Sequence, residues 1–159
     1  MTSKILHTPS GAGNAVWFFG DKFTFLATGA ETGGSYSTLE ALVSPGNGPI
    51  PHIHHNADEQ FYVLEGKVHF SVGDQTFSAG VGDFVHIPQG TVHSFKNHEK
   101  QAARLLATFP RQAWKSTLHD WANQSLRVLY HHPLHRNGLL VQGRSRPNTD
   151  KKHYHLASG

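Results

Sequence analysis

PHIHHNADEQFYVLEG, residues 51–66, decides how this chain is read. Its first half crowds His52, His54, His55, Asn56, Asp58 and Glu59 into eight positions, and its second half runs Phe61-Tyr62-Val63-Leu64. Groups that resist burial thus lead straight into a segment suited to a strand interior. In an extended segment residues two apart share a face, so His52 and His54 project together while Ile53 opposes them. Glu59 opens the next strand after the short Asn56-Ala57-Asp58 loop, which returns a carboxylate beside the pair if the chain reverses there. An HXH pair alone is a weak signal in a chain with 14 histidines, so the flanking sequence has to supply more.

Outward from that stretch, Thr24 to Phe109 is a series of short runs rich in Val, Phe, Tyr and Thr, each bounded by Gly, Pro, Asn or Asp. FTFLAT, YSTLEALV, EQFYVL, KVHFSV, QTFSA, DFVHI, VHSFKN and ARLLATF are the expected strands. Glu65-Gly66 and Gly73-Asp74 make two-residue connections, as tight hairpins require. Many strands with short turns imply an all-β sandwich or barrel, whose closure removes aggregation-prone edges.

The expected VHSFKN strand puts His93 and Phe95 on one face and Ser94 and Lys96 on the other. His52, His54, Glu59 and His93 on inward faces of neighbouring strands would form a nitrogen and oxygen site suited to a divalent first-row transition metal. The chain has no cysteine, which removes thiolate sites and disulfides together. His55 adjoins the pair but points the wrong way, Asp58 would face away from a strand that turns Glu59 inward, and His69 and His86 read as packing or hydrogen-bonded histidines. Phe61, Val63, Phe70, Phe84 and Phe95 are candidate pocket residues, most of them better suited to filling a core.

Gly46, His52, His54, Glu59 and Gly66 fit G(X)5HXH(X)4E(X)6G, and Gly82, Pro88, Gly90, His93 and Asn97 fit G(X)5PXG(X)2H(X)3N. These patterns resemble the two motifs of the cupin superfamily at every fixed position, with the 15 residues Lys67–Val81 between them. The resemblance covers residues 15–110 and implies a double-stranded β-helix, the cupin jelly-roll barrel, with a metal near one mouth. Within the superfamily the stretch from Trp17 to Lys67 is similar to small single-domain proteins related to quercetin dioxygenase. That likeness implies a metal on His52, His54, Glu59 and His93 that holds a flavonol or similar aromatic enol. Glu59 would be both ligand and catalytic base toward the 3-hydroxyl, and dioxygen would open the ring with loss of carbon monoxide. Iron, nickel, manganese, cobalt, copper and zinc all suit the donor set. A non-catalytic metal-containing binding cupin and a cupin isomerase or epimerase are the alternatives. A homodimer is expected by analogy with other cupins.

The chain's 159 residues suit one main domain. Residues 1–110 hold 6 Lys/Arg against 9 Asp/Glu, whereas residues 111–159 hold 8 against 2, so the chain turns basic near Pro110. Residues 1–112 are expected to form the β-barrel domain with N-terminal strands, and residues 113–159 a C-terminal helix and a loosely ordered, His-rich basic tail. Leu118, Trp121, Val128 and Leu129 mark one helical face, with Thr117 and Asp120 at capping-box spacing. The tail reads as a solvated appendage rather than a nucleic-acid arm. AVWFF is far too short for a membrane span or signal peptide, so a soluble cytoplasmic protein binding a small molecule is expected.

Overall fold

The computed structural model describes residues 5–110 apart from residue 19. The expected C-terminal helix and basic tail lie outside the described residues. Nine strands run through the described chain: β1 (Ala15–Phe18), β2 (Asp21–Ala27), β3 (Tyr36–Val43), β4 (Glu59–Glu65), β5 (Lys67–Val72), β6 (Gln75–Gly80), β7 (Phe84–Ile87), β8 (His93–Lys96) and β9 (Ala103–Pro110). They form an antiparallel six-stranded sheet in the order β1-β2-β3-β9-β4-β7 and a three-stranded sheet in the order β6-β5-β8. No helix of the described residues is long and apolar enough to cross a membrane.

Alternation builds the core. β2, β3 and β9 bury every second side chain, and β4 buries Glu59, Phe61 and Val63 in the same phase. Leu39, Val43, Phe61, Val63, Val68, Phe70 and Leu105 are almost wholly buried between the sheets. Phe61 of the larger sheet meets Phe70 and Phe95 of the smaller one at ring-centroid distances of 5.4 and 5.2 Å. Tilted and edge-on rings at that separation suit the aromatic quadrupole, and truncating such a ring to Ala costs about 3–5 kcal/mol.

Two local features depart from the expected pattern. β1 is an additional edge strand paired with β2, formed by the AVWF run, with Trp17 64% exposed. The segment carrying His52 and His54 is no regular strand. Pro49 and Pro51 have no N–H to give a ladder, so His52 makes a single bridge with His93. In that bridge each residue's N–H donates to the other's carbonyl at 2.9 Å.

The loop leading to His52 is tied down before it arrives. Gly46 N–H donates to the Asn97 carbonyl at 2.8 Å, and Asn97 N–H donates to the Asn47 carbonyl at 2.9 Å. Gly48 crosses so near β8 that a Cβ there would sit 2.0 Å from the Phe95 carbonyl oxygen, which only glycine avoids. Asn97 is fully buried. Its Nδ2 donates to the carbonyls of Val43 at 3.0 Å and Gln101 at 2.8 Å, and its Oδ1 accepts from Glu99 N–H at 2.9 Å.

Candidate metal centre

Four side chains from three places in the sequence meet at one point. His52 and His54 come from the bridged loop, Glu59 from the first position of β4 and His93 from the first position of β8. One donor atom from each lies within 4.8 Å of all the others, a spacing that could hold a metal ion. His93 Nε2 stands 2.8 Å from Glu59 Oε2, and His54 Nε2 stands 3.3 Å from the same oxygen.

Each contributor is aimed by a nearby backbone feature. The Nδ1 of His52 lies 2.9 Å from the Ile50 carbonyl, and the Nδ1 of His93 lies 2.9 Å from the Thr91 carbonyl. A ring whose Nδ1–H is given to a carbonyl presents Nε2 to the site, the arrangement that orients histidine ligands generally. Upstream of His93, Pro88-Gln89-Gly90 forms the expected turn, closed by Thr91 N–H donating to the Pro88 carbonyl at 3.2 Å with Gly90 at φ +79°. Gly90 N–H donates to the His54 carbonyl at 2.8 Å, and Asp58 accepts from Gln89 N–H at 2.9 Å. Asp58 thus clamps this turn, and its carboxylate is spent there.

The electrostatics follow from the crowding. Burial alone would raise Glu59, but the imidazoles of His54 and His93 outweigh it and hold the carboxylate well below its usual range. His93 experiences the converse: burial works downward, and the hydrogen bond and charge of Glu59 outweigh it, so its pKa is raised. Both nitrogens of His93 face oxygen acceptors, which is the geometry of an imidazolium. His52 has no such carboxylate contact. Burial, reinforced by the charge on His93, pushes it down to about 4.

The cluster forms part of the wall of a pocket that opens to solvent. His52, His54 and Glu59 are on that wall and His93 is behind them; five phenylalanines, Phe18, Phe23, Phe61, Phe95 and Phe109, supply most of the rest. Phe61 and Phe95, two of the candidate pocket residues, lie on this wall. Val63 and Phe70 fill the core beneath. Phe84 is a correction: it is 61% exposed on the outer face of β7, because Val85, paired with Phe61, takes the inward phase. His55 and His86 are exposed, and His69 hydrogen-bonds Ser78 Oγ at 2.9 Å on the outer face of the smaller sheet. Phe18, Phe23 and Phe109 come from β1, β2 and β9, outside both motifs; only the inward strand phase marks Phe23 and Phe109, and Phe18 lies in the unexpected edge strand. The Ile50 and Thr91 carbonyls carry no side-chain signal at all.

Residues 39–109 match a family model described as "Cupin domain". Over 87 residues the chain is 29% identical to quercetin 2,3-dioxygenase of Bacillus subtilis, covering 55% of this chain and 26% of that protein. Over 82 residues it is 32% identical to an uncharacterized protein of Methanocaldococcus jannaschii, covering 51% of this chain and 66% of that one. The chain thus spans less than two-thirds of the length of either relative. Among solved structures, an RmlC-like cupin of Shewanella frigidimarina superposes with a TM-score of 0.60 at 18% identity, covering 70% of this chain and 95% of that one. At that identity the likeness is one of fold.

Proposed function

We propose, from the premise that residues 39–109 are a cupin domain, that this protein is a metal-dependent dioxygenase acting on a flavonol or related aromatic enol. The observation that carries the reading is the placement of Glu59 and two imidazoles on the wall of an aromatic cavity, with the third imidazole behind them. His52, His54, Glu59 and His93 would hold the cation; their nitrogen and oxygen donors suit a divalent first-row metal. When bound, that cation would supply Lewis acidity and open coordination positions for the substrate's oxygens and for dioxygen.

The chain's own groups have three tasks in this reading. Glu59 accepts the proton of the substrate's enol hydroxyl; its carboxylate is ionised throughout the neutral range and lies at the cavity wall. The Ile50 and Thr91 carbonyls hold His52 and His93 in register, so that the donor set needs little reorganisation. The phenylalanines receive the planar body of the substrate and keep bulk water from the reacting carbon atoms. The partial similarity to quercetin 2,3-dioxygenase supports this choice of chemistry over other uses of the scaffold.

The test is anaerobic addition of a flavonol to protein loaded in turn with iron, nickel, manganese, cobalt, copper or zinc, followed by air. Ring opening with oxygen uptake and release of carbon monoxide is expected with at least one metal. An unchanged spectrum and no carbon monoxide with every metal would overturn the proposal.

A further inference from the structure

The wall of the cavity is informative for what it lacks. Among the described residues, its only polar side chains are His52, His54 and Glu59, which all belong to the donor cluster. Everything else there is phenylalanine or aliphatic, including Leu39 and Ile50. Two buried polar residues, Asp21 and Ser37, share the inward phase of β2 and β3 but are not on this wall, and Asp21 already accepts from Ser44 N–H at 2.8 Å. Arg104 of β9 points outward and is held there by Glu40 at 2.9 Å and Glu65 at 2.6 Å. Lys22 is in the outward phase of β2, and Asn97, buried beside β8, has spent its amide on Val43, Gln101 and Glu99.

We infer that the cavity selects ligands whose metal-chelating head is their only polar group, and that each further hydroxyl or charge on the ligand body is penalised. The inference rests on the proposed metal-chelating reading and narrows it. A hydroxyl carried into this cavity leaves water and meets ring faces and methyl groups. A buried polar group without a partner costs about tenfold in affinity for each ordinary hydroxyl, and more for a charged group. The asymmetry resembles that of any apolar site toward substrates richer in hydroxyls. Sugars, sugar phosphates and small dicarboxylates, which are polar along their whole length, are disfavoured by the same physics. A bare aromatic enol is favoured, and a polyhydroxylated flavonol is a poorer ligand than its unadorned parent.

The experiment compares two probes that share one chelating head, 3-hydroxyflavone and 3,4′,7-trihydroxyflavone. Each is titrated anaerobically into metal-loaded full-length protein, with metal content fixed by elemental analysis and binding read from the shift of the flavone absorption band. The expected result is a band shift with both probes and a dissociation constant for 3-hydroxyflavone lower by about a hundredfold, about tenfold for each of the two hydroxyls that lose their water. A preference for 3-hydroxyflavone of less than about tenfold, equal affinity, or tighter binding of the trihydroxyflavone would overturn the inference while leaving the chelating reading intact. No band shift with either probe on metal-containing protein would overturn the chelating reading and the inference with it.

Discussion

Replacing Asn97 separates what holds the centre together from what would act in it. Asn97→Ala removes two amide donors and one acceptor at once. The Val43 carbonyl is left in a fully buried position, while Gln101 and Glu99 lie at exposed or partly exposed positions and recover water. A stranded buried carbonyl costs about 2 kcal/mol and the two recoverable bonds add roughly 0.5–1 kcal/mol each, for a loss of about 3–4 kcal/mol. For a chain of this length that lowers the melting temperature by about 10 °C. Asn97→Asp is the sharper variant, because it keeps the volume and the acceptor for Glu99 but turns an anionic oxygen toward the Val43 and Gln101 carbonyls. It should cost at least as much as alanine at neutral pH. Urea unfolding at 20 °C gives both values, and an unchanged slope with denaturant shows that the unfolded reference is unaltered. Residue 97 holds the Gly46–Asn47 loop that leads to His52 through main-chain bonds that both variants keep, so each should still bind one metal per chain when folded, with affinity close to the parent's. An Asn97→Asp protein within about 1 kcal/mol of the parent would refute the hydrogen-bond account and leave packing as the role of this side chain.

Further outcomes follow from the Glu59–His93 pair and from the buried Asp21. Because Glu59 raises His93, binding of a divalent cation should displace protons from His93 Nε2, in growing number as pH falls; calorimetry in buffers of different ionisation heat measures it, and no release at any pH would contradict the His93–Glu59 hydrogen bond. Glu59→Gln should weaken metal binding by at least about tenfold in chelator competition and, by removing the charge that raises His93, lower the proton release at a given pH. Asp21, buried at the start of β2, has its pKa raised by burial despite accepting a 2.8 Å bond from Ser44 N–H. A raised carboxyl favours the fold while protonated and disfavours it once pH climbs through the folded pKa, so Asp21→Asn should stabilise the protein at pH 7 and give no gain below pH 3.8, as thermal melts at the two pH values would show.

The sheets were legible wherever alternation ran unbroken between turn residues. YSTLEALV and KVHFSV coincide residue for residue with β3 and β5, since each has one apolar phase and a turn residue close by. The pattern failed where both phases are apolar. In DFVHI either Phe84 with His86 or Val85 with Ile87 could face inward, and nothing local chooses; pairing of Val85 with Phe61 across β4 decides it and sends the larger Phe84 to solvent. β1 leaves little sequence signal for a related reason, being a four-residue edge strand whose one neighbour is β2.

The HXH segment is the most instructive departure, because the irregular backbone there is what aims the ligands. In a regular strand a carbonyl two residues back is committed to a ladder. Ile50 and Thr91 stand outside the strands, one between two prolines and the other just after the Pro88-Gln89-Gly90 turn, so their carbonyls are available to the Nδ1 atoms of His52 and His93. The reciprocal His52–His93 bridge then sets those two backbones side by side, bringing the ring centroids to 4.2 Å. Had Pro49 and Pro51 been ordinary residues, the loop could have zipped further along β8, and the Ile50 carbonyl would have been consumed in pairing. The prolines that defeat the strand expectation therefore belong to the same device as the histidines, an instance of local rules being broken where a site is built.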